Sequence, residues 1–175
     1  MPRNLKYYVA TSLDGFIAHQ DGSWGGFVPE GDHVTDYLTS LGQFDTVLMG
    51  RKTYEVGLNM GQTNPYPMMK SYVFSRTLQD SPDPQVTVVS EAVGDFVRTL
   101  KQDPGQDIYL CGGGSLATTL FSEQLIDQVI VKLNPVLFGA GIPLLSSIGQ
   151  PIELKLTDRK IYDNGVVFLY YQVQF

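Results

Sequence analysis

Ile108-Tyr109-Leu110-Cys111-Gly112-Gly113-Gly114-Ser115-Leu116-Ala117-Thr118-Thr119-Leu120-Phe121 is the stretch around which the chain is organised. Its first four residues read as a short buried strand, and the residues from Ser115 open with helical spacing. Three glycines lie at the junction. A strand that ends in glycines at a helix start turns backbone N–H groups and the positive end of a helix dipole toward an anion. With no Cβ on three successive residues, a phosphate or a flat ring can approach the chain closely. The spacing differs from the full Gly-x-Gly-x-x-Gly dinucleotide fingerprint and lies late in the chain. Two readings therefore stand at this point: an anion site, or a tight turn with close helix–sheet packing.

A second junction repeats the pattern. Thr46-Val47-Leu48-Met49 is a short buried strand that runs into Gly50-Arg51-Lys52-Thr53-Tyr54-Glu55. Cations in a first helical turn conflict with the helix dipole, which favours them at the opposite end. The conflict is resolved if an anion is held there, or if the turn is simply solvated. A third strand, Ser71-Tyr72-Val73-Phe74, ends in Ser75-Arg76-Thr77.

Around these junctions the chain alternates. Lys6 to Thr11 is a strand, closed by an Asp14-Gly15 turn and a brief extended return over Phe16-Ile17-Ala18. A polar, glycine-rich loop over residues 20–32 carries Trp24 and Phe27, and is either anchored to the core or covers a ligand. Asp32 has the chemistry of a helix N-cap. Val34, Tyr37, Leu38 and Leu41 then repeat at helical spacing. Val86 to Val89 is a strand, and Glu91 to Gln102 a helix with Val93, Phe96, Val97 and Leu100 inward. Ile126 to Leu133 is a strand, and a bent apolar segment covers residues 135–143. Two alternating strands over 152–162 and 166–175 are joined by Asp163-Asn164-Gly165, a strong hairpin signal. Strands alternating with helices predict an α/β fold with a mainly parallel central sheet, helices on both faces and a C-terminal antiparallel hairpin. In such sheets the ligand crevice lies beyond the carboxyl ends of the strands. The three junctions are therefore expected to meet at one site.

The 175 residues suit a single domain over residues 1–175, and no linker or repeat divides them. A hydrophobic content of 43% with 17% charged residues supports a packed core. The net charge of −6 argues against broad binding to nucleic acid or to anionic membrane. No apolar run is long enough to span a bilayer, and the N-terminus has no signal-peptide character. A cytoplasmic protein is expected. One cysteine, Cys111, excludes an internal disulfide and a thiolate zinc cluster, and it suits a small core position. His19 and His33 form no metal-ligand pair, so no metal is expected.

Five motifs together resemble the dihydrofolate reductase superfamily, and within it the branch of the riboflavin-biosynthesis reductase domain. They are residues 11–18 (Thr-Ser-Leu-Asp-Gly-Phe-Ile-Ala), residues 48–55 (Leu-Met-Gly-Arg-Lys-Thr-Tyr-Glu), Phe74-Ser75-Arg76, Cys111 to Ser115, and residues 135–145. The resemblance runs over nearly the full length. It implies a dihydrofolate-reductase-like three-layer fold and a stand-alone reductase with NADPH as hydride donor. It places Gly50, Arg51, Lys52 and Thr53 at the cofactor phosphates, with Ser75 and Arg76 near the adenosine 2′-phosphate. Gly112, Gly113, Gly114, Ser115 and Leu116 would follow the pyrophosphate; Ala10, Ile17 and Ala18 would lie beside the nicotinamide. It also implies a cis bond between Gly112 and Gly113.

Three positions depart from the family pattern. Val34 stands where folate reductases keep a pterin-binding carboxylate, and Asn64 where they keep the arginine for the glutamate tail, counting without gaps. Cys111 stands where riboflavin-pathway reductases usually carry Glu. The expected substrate is therefore a small flat heterocycle such as a pteridine or pyrimidine, walled by Trp24, Phe27, Val34 and Leu38. Asp14 has two readings: a substrate carboxylate, or a turn residue bonding its own backbone. The alternative function is a nucleotide-binding sensor that keeps the NADPH cleft without catalysis. A homodimer is expected through the tyrosine-rich C-terminal hairpin (Tyr162, Tyr170, Tyr171).

Overall fold

A computed structural model describes residues 2–175. The runs of β-branched and aromatic residues become the central strands. They are β1 (Leu5–Thr11), β3 (Phe44–Gly50), β4 (Lys70–Phe74), β5 (Val86–Val89), β6 (Asp107–Gly112) and β7 (Gln128–Leu133). Two short strands, β2 (Phe16–Ala18) and β8 (Ile142–Pro143), pair with each other apart from the main sheet. The hairpin strands are β9 (Glu153–Ile161) and β10 (Val167–Gln174). Four helices join the strands: α1 (Asp32–Ser40), α2 (Arg51–Asn59), α3 (Val93–Gln102) and α4 (Gly114–Ser122).

The main sheet has the order β5-β4-β3-β6-β1-β7-β10-β9. Its first six strands are mutually parallel, and β10 pairs antiparallel with both β7 and β9. The α/β, mainly parallel architecture with a C-terminal antiparallel hairpin is as expected. Two cores flank the sheet. One packs Val97 and Leu100 of α3 and Leu116, Leu120 and Phe121 of α4 against Leu5, Leu48 and Leu110. The other packs Tyr54 of α2, with Tyr37 of α1 partly buried, against Tyr8, Val47, Met49, Tyr109 and Phe168. No helix is long and apolar enough to cross a membrane among the described residues.

Three local expectations are corrected. Asp32 does not cap α1; Gly31 occupies the N-cap, at φ 131°, and no side chain bonds the helix start. Asn164 sets that conformation from outside: its amide donates to the Glu30 carbonyl (3.2 Å), and a Cβ on Gly31 would stand 2.6 Å from it. The face of α1 departs at one position: Tyr37 and Leu41 pack into the core as expected, and Leu38 does not. His33 is its fully buried residue, while Leu38 is 59% exposed. Tyr162 is not on the hairpin surface. It is buried, and its hydroxyl donates to Asp36 Oδ2 (2.6 Å). The exposed apolar residues of the hairpin are Leu154, Leu156 and Ile161 on the edge strand β9, with Phe175 at the terminus.

Candidate functional site

The register brings the three junctions together. Gly50 is the Cα partner of Phe74, and Met49 the partner of Gly112. The carboxyl ends of β4, β3 and β6 thus stand side by side, as the alternation of strands and helices predicts. The approach is close. A Cβ on Gly50 would lie 3.3 Å from the Gly113 nitrogen and one on Gly113 3.2 Å from Thr53 Oγ1. The peptide bond between Gly112 and Gly113 is cis. Gly113 is the N-cap residue of α4 and makes no side-chain cap, so the first N–H groups of that helix face the cleft without an internal partner. Leu116 is buried behind them and Ser115 is exposed.

The cations of the site differ in their surroundings. Arg51 donates from Nη1 to Glu55 Oε1 (2.9 Å), one helical turn on, so it has an acidic neighbour that adjacency in sequence conceals. Lys52 and Arg76 are exposed, and neither forms a salt bridge among the described residues. The Ser75 hydroxyl accepts from the N–H groups of Thr77 (3.1 Å) and Leu78 (2.8 Å), so it shapes the turn that presents Arg76.

Ala10 lies near the carboxyl end of β1, the strand beside β6, and Ile17 packs against the core under α3 and α4. Ala10 ends the inner face of β1, and Ala18 is buried where β2 meets β8. Asp14 sits on the loop between β1 and β2. Its Oδ1 accepts from the Ser12 hydroxyl (2.6 Å) and the Phe138 N–H (3.0 Å), and its Oδ2 from the Gly139 N–H (2.7 Å). These bonds, that of Ser12 foremost, hold its pKa down at about 2. The carboxylate thus ties the β1–β2 loop to residues 138 and 139 more than to its own turn.

The loop over residues 20–31 is tied down at several points. Phe27 stacks on Phe138 with centroids 5.0 Å apart, and the Val28 N–H donates to Asn134 Oδ1 (3.0 Å). His33 bonds the Val28 carbonyl through Nε2 (3.1 Å). Trp24 is 47% exposed at the loop tip. Val34 is half-buried on α1, and Leu38 one turn on is exposed. Two shallow depressions, one beside α3 lined by Tyr72 and Phe96 and one between α4 and the C-terminus lined by Phe121 and Phe175, contain none of these residues.

A group of polar side chains at the same end of the sheet escaped the sequence reading. The Tyr37 and Tyr109 hydroxyls share a hydrogen bond (3.1 Å), and the Tyr66 hydroxyl and Cys111 Sγ another (3.3 Å). Burial raises the pKa values of all three tyrosines above the ordinary phenol range, so each keeps its proton. Cys111 is thus a partner in this group and not only a small core residue. Lys132 projects over the Tyr37 ring, 3.6 Å from its centroid. One signal could have found it: a single lysine inside the apolar run Val129-Ile130-Val131-Lys132-Leu133.

Known proteins are similar to this chain in sequence and in fold. The RibD C-terminal domain family matches residues 3–168. The Bacillus subtilis protein YwjB is 35% identical over 174 residues, covering 97% of this chain and 98% of that one. The crystal structure of a putative riboflavin biosynthesis protein from Shewanella sp. PV-4 superposes with a TM-score of 0.85 at 23% identity, over 100% of both chains. Dihydrofolate reductase from Enterococcus faecalis, complexed with NADP(H), superposes with a TM-score of 0.71 at 14% identity, over 98% of this chain and 97% of that one. By its sequence and its fold, the chain belongs to the RibD C-terminal domain family.

Proposed function

We propose that the chain is an NADPH-dependent reductase of a small heterocyclic substrate, pteridine- or pyrimidine-like. The observation that carries this reading is the meeting of Gly50, Gly112 and Gly113 with the exposed cations Lys52 and Arg76 at adjacent strand ends. The fit to a dinucleotide is physical. Glycines remove the side chains that would block a phosphate, and the first N–H groups of α4 point toward it. Cations without carboxylate partners supply the charge. A fold shared with a reductase complexed with NADP(H) agrees with this.

In this reading the nicotinamide cofactor supplies the hydride. Gly50, Arg51, Lys52 and Thr53 would bind its phosphates, Gly112 to Leu116 its pyrophosphate, and Ser75 with Arg76 its 2′-phosphate. Ala10, Ile17 and Ala18 would form the floor for the nicotinamide, their small or apolar side chains letting a flat ring lie close. Trp24, Phe27, Val34 and Leu38 would wall the substrate and exclude water. The protein is proposed to act in the cytoplasm as a homodimer, through the exposed apolar residues of β9.

The test is NADPH oxidation with a panel of pterins, dihydrofolate and aminopyrimidines, alongside direct titration with NADPH. Turnover of any member supports the reductase. Tight NADPH binding without turnover across the panel identifies a nucleotide sensor instead. Absence of NADPH binding refutes both.

A further inference from the structure

One charged side chain at the cleft has no role in cofactor binding. Lys132 lies in β7 with Ala10 of β1 as its register partner on one side and Phe168 of β10 on the other. Partners in register point to the same face, so Lys132 shares the α1 face of the sheet with Ala10 and Tyr8. Tyr37 of α1 closes over it, with Nζ 3.6 Å from that ring centroid and 5.4 Å from the centroid of Tyr8. Lys132 is partly buried, yet it forms no salt bridge among the described residues. The Tyr37 hydroxyl, bonded to that of Tyr109, keeps its proton.

A cation over aromatic rings gains about 0.5–2 kcal/mol, whereas withdrawing an ammonium from water costs several kcal/mol. The shortfall is visible in Lys132: burial pulls its pKa down to about 8, and Cys111 opposes that only in part. Its register partner on β1, Ala10, brings only a methyl group, and the nearby Tyr8 of the same strand brings a ring face. Among the described residues the ammonium is therefore left without an acidic partner on that face of the sheet. An ammonium offers three donors and no acceptor. It binds a carbonyl, enolate or carboxylate oxygen, and it repels a protonated amino-substituted ring.

We propose that Lys132 is the substrate-recognising cation of this cleft, and that it selects heterocycles presenting an oxo oxygen over amino-substituted ones, whose exocyclic groups donate as the ammonium does. The inference rests on the reductase reading above and deepens it to a substrate class.

A matched pair of ligands, 2,4-dioxopteridine and 2,4-diaminopteridine, tests it. Lysines of the full chain are labelled by reductive ¹³C-methylation, and the resonance missing from Lys132→Met is that of Lys132. The expected result is a shift of this resonance by the dioxo compound and none by the diamino compound. Direct titration should show the dioxo ring binding at least tenfold more tightly. Lys132→Met should remove that preference with NADPH affinity and melting temperature intact, and Lys132→Arg should keep it. The proposal is overturned by equal binding, by a preference for the diamino ring, by failure of the dioxo compound to bind, or by a preference that survives Lys132→Met. NADPH titration reads the cofactor half separately. A protein that binds the dioxo ring through Lys132 and does not bind NADPH refutes the reductase and leaves the Lys132 assignment standing.

Discussion

Gly114→Ala is expected to be the most destabilising of the glycine-to-alanine exchanges considered for this fold. Gly114 opens α4 and is buried. A Cβ there would stand 2.6 Å from the Pro143 carbonyl oxygen and 3.3 Å from that of Leu144. Both are backbone atoms, so relief requires the segment to move. That segment is held three ways. Pro143 pairs with Phe16, the Leu144 N–H donates to the Gly15 carbonyl (2.9 Å), and the Tyr7 hydroxyl donates to the Leu144 carbonyl (3.0 Å). Overpacking a tight site costs about 1–3 kcal/mol, and each hydrogen bond lost adds about 1 kcal/mol. The gain in helix propensity offsets at most about 1 kcal/mol. A net loss of about 2–3 kcal/mol follows, and at this chain length each kcal/mol lowers the melting temperature by about 2–4 °C.

Two further exchanges serve as controls. Gly42→Ala meets nothing within 4 Å and should stay within about 0.5 kcal/mol of the parent. In Gly94→Ala the new methyl meets only the carboxylate of Glu123, the end of a flexible side chain. Glu123 can turn away at the expense of its exposed ion pair with Arg98 (2.7 Å), worth about 0–1 kcal/mol. Urea titration and thermal melts should therefore rank Gly114→Ala well below the other two. A Gly114→Ala protein that melts with the parent, or a Gly94→Ala protein that loses as much, would refute the reasoning that backbone rigidity at Pro143 and Leu144 decides the outcome.

NADPH is expected to bind at least about tenfold more tightly than NADH, about 1.4 kcal/mol, and Arg76→Ala should erode the difference. Arg51→Ala should erode it less, because Glu55 already engages that guanidinium; equal affinity of the parent for both cofactors, by titration, would remove the basis for either. The Asp14 pKa of about 2 lies below the ordinary carboxylate value of about 3.9. The stabilisation it brings is therefore complete above about pH 4 and is lost as pH falls through about 2. Melting temperatures of the parent and Asp14→Ala should differ at pH 5 and converge toward pH 2, and a difference that does not vary with pH would contradict this. Self-association through β9 should appear as a dimer in sedimentation at micromolar concentration and should be lost in Leu156→Asp; a monomeric parent would end the idea.

Much of the fold is legible where a local rule is satisfied locally. Gly50 and Gly112 to Gly114 mark two strand-to-helix junctions because no other residue leaves the backbone so free there. Asp163-Asn164-Gly165 marks the hairpin for the same kind of reason. What escapes is set by contacts distant in sequence. The start of α1 looks like an Asp cap, yet Asn164, more than a hundred residues on, holds Glu30 and leaves room only for glycine at position 31. The buried side of α1 looks like Val34, Tyr37, Leu38 and Leu41, yet Leu38 is exposed and His33 is drawn inward, where its ring finds the Val28 carbonyl and Asn164. Tyr162 looks like a surface tyrosine of an exposed hairpin and is instead the inner anchor of α1 through Asp36.

The candidate site divides along the same line. Its glycine-and-cation side is legible because these residues gather within a few positions of each strand end. Its charge balance is not, since the partner of Arg51 lies one helical turn away and that of Asp14 on a loop beyond residue 135. Lys132 is not legible, because its meaning depends on what the sheet sets beside it. The two halves also hold charge differently. Lys52 and Arg76 are solvated and act through proximity, which counterions weaken. Lys132 is half-withdrawn from water, where screening is poor. At physiological ionic strength charges beyond about 8 Å are largely screened. The net charge of −6 therefore does little to repel an anion already in the cleft, where these few cations decide the local field.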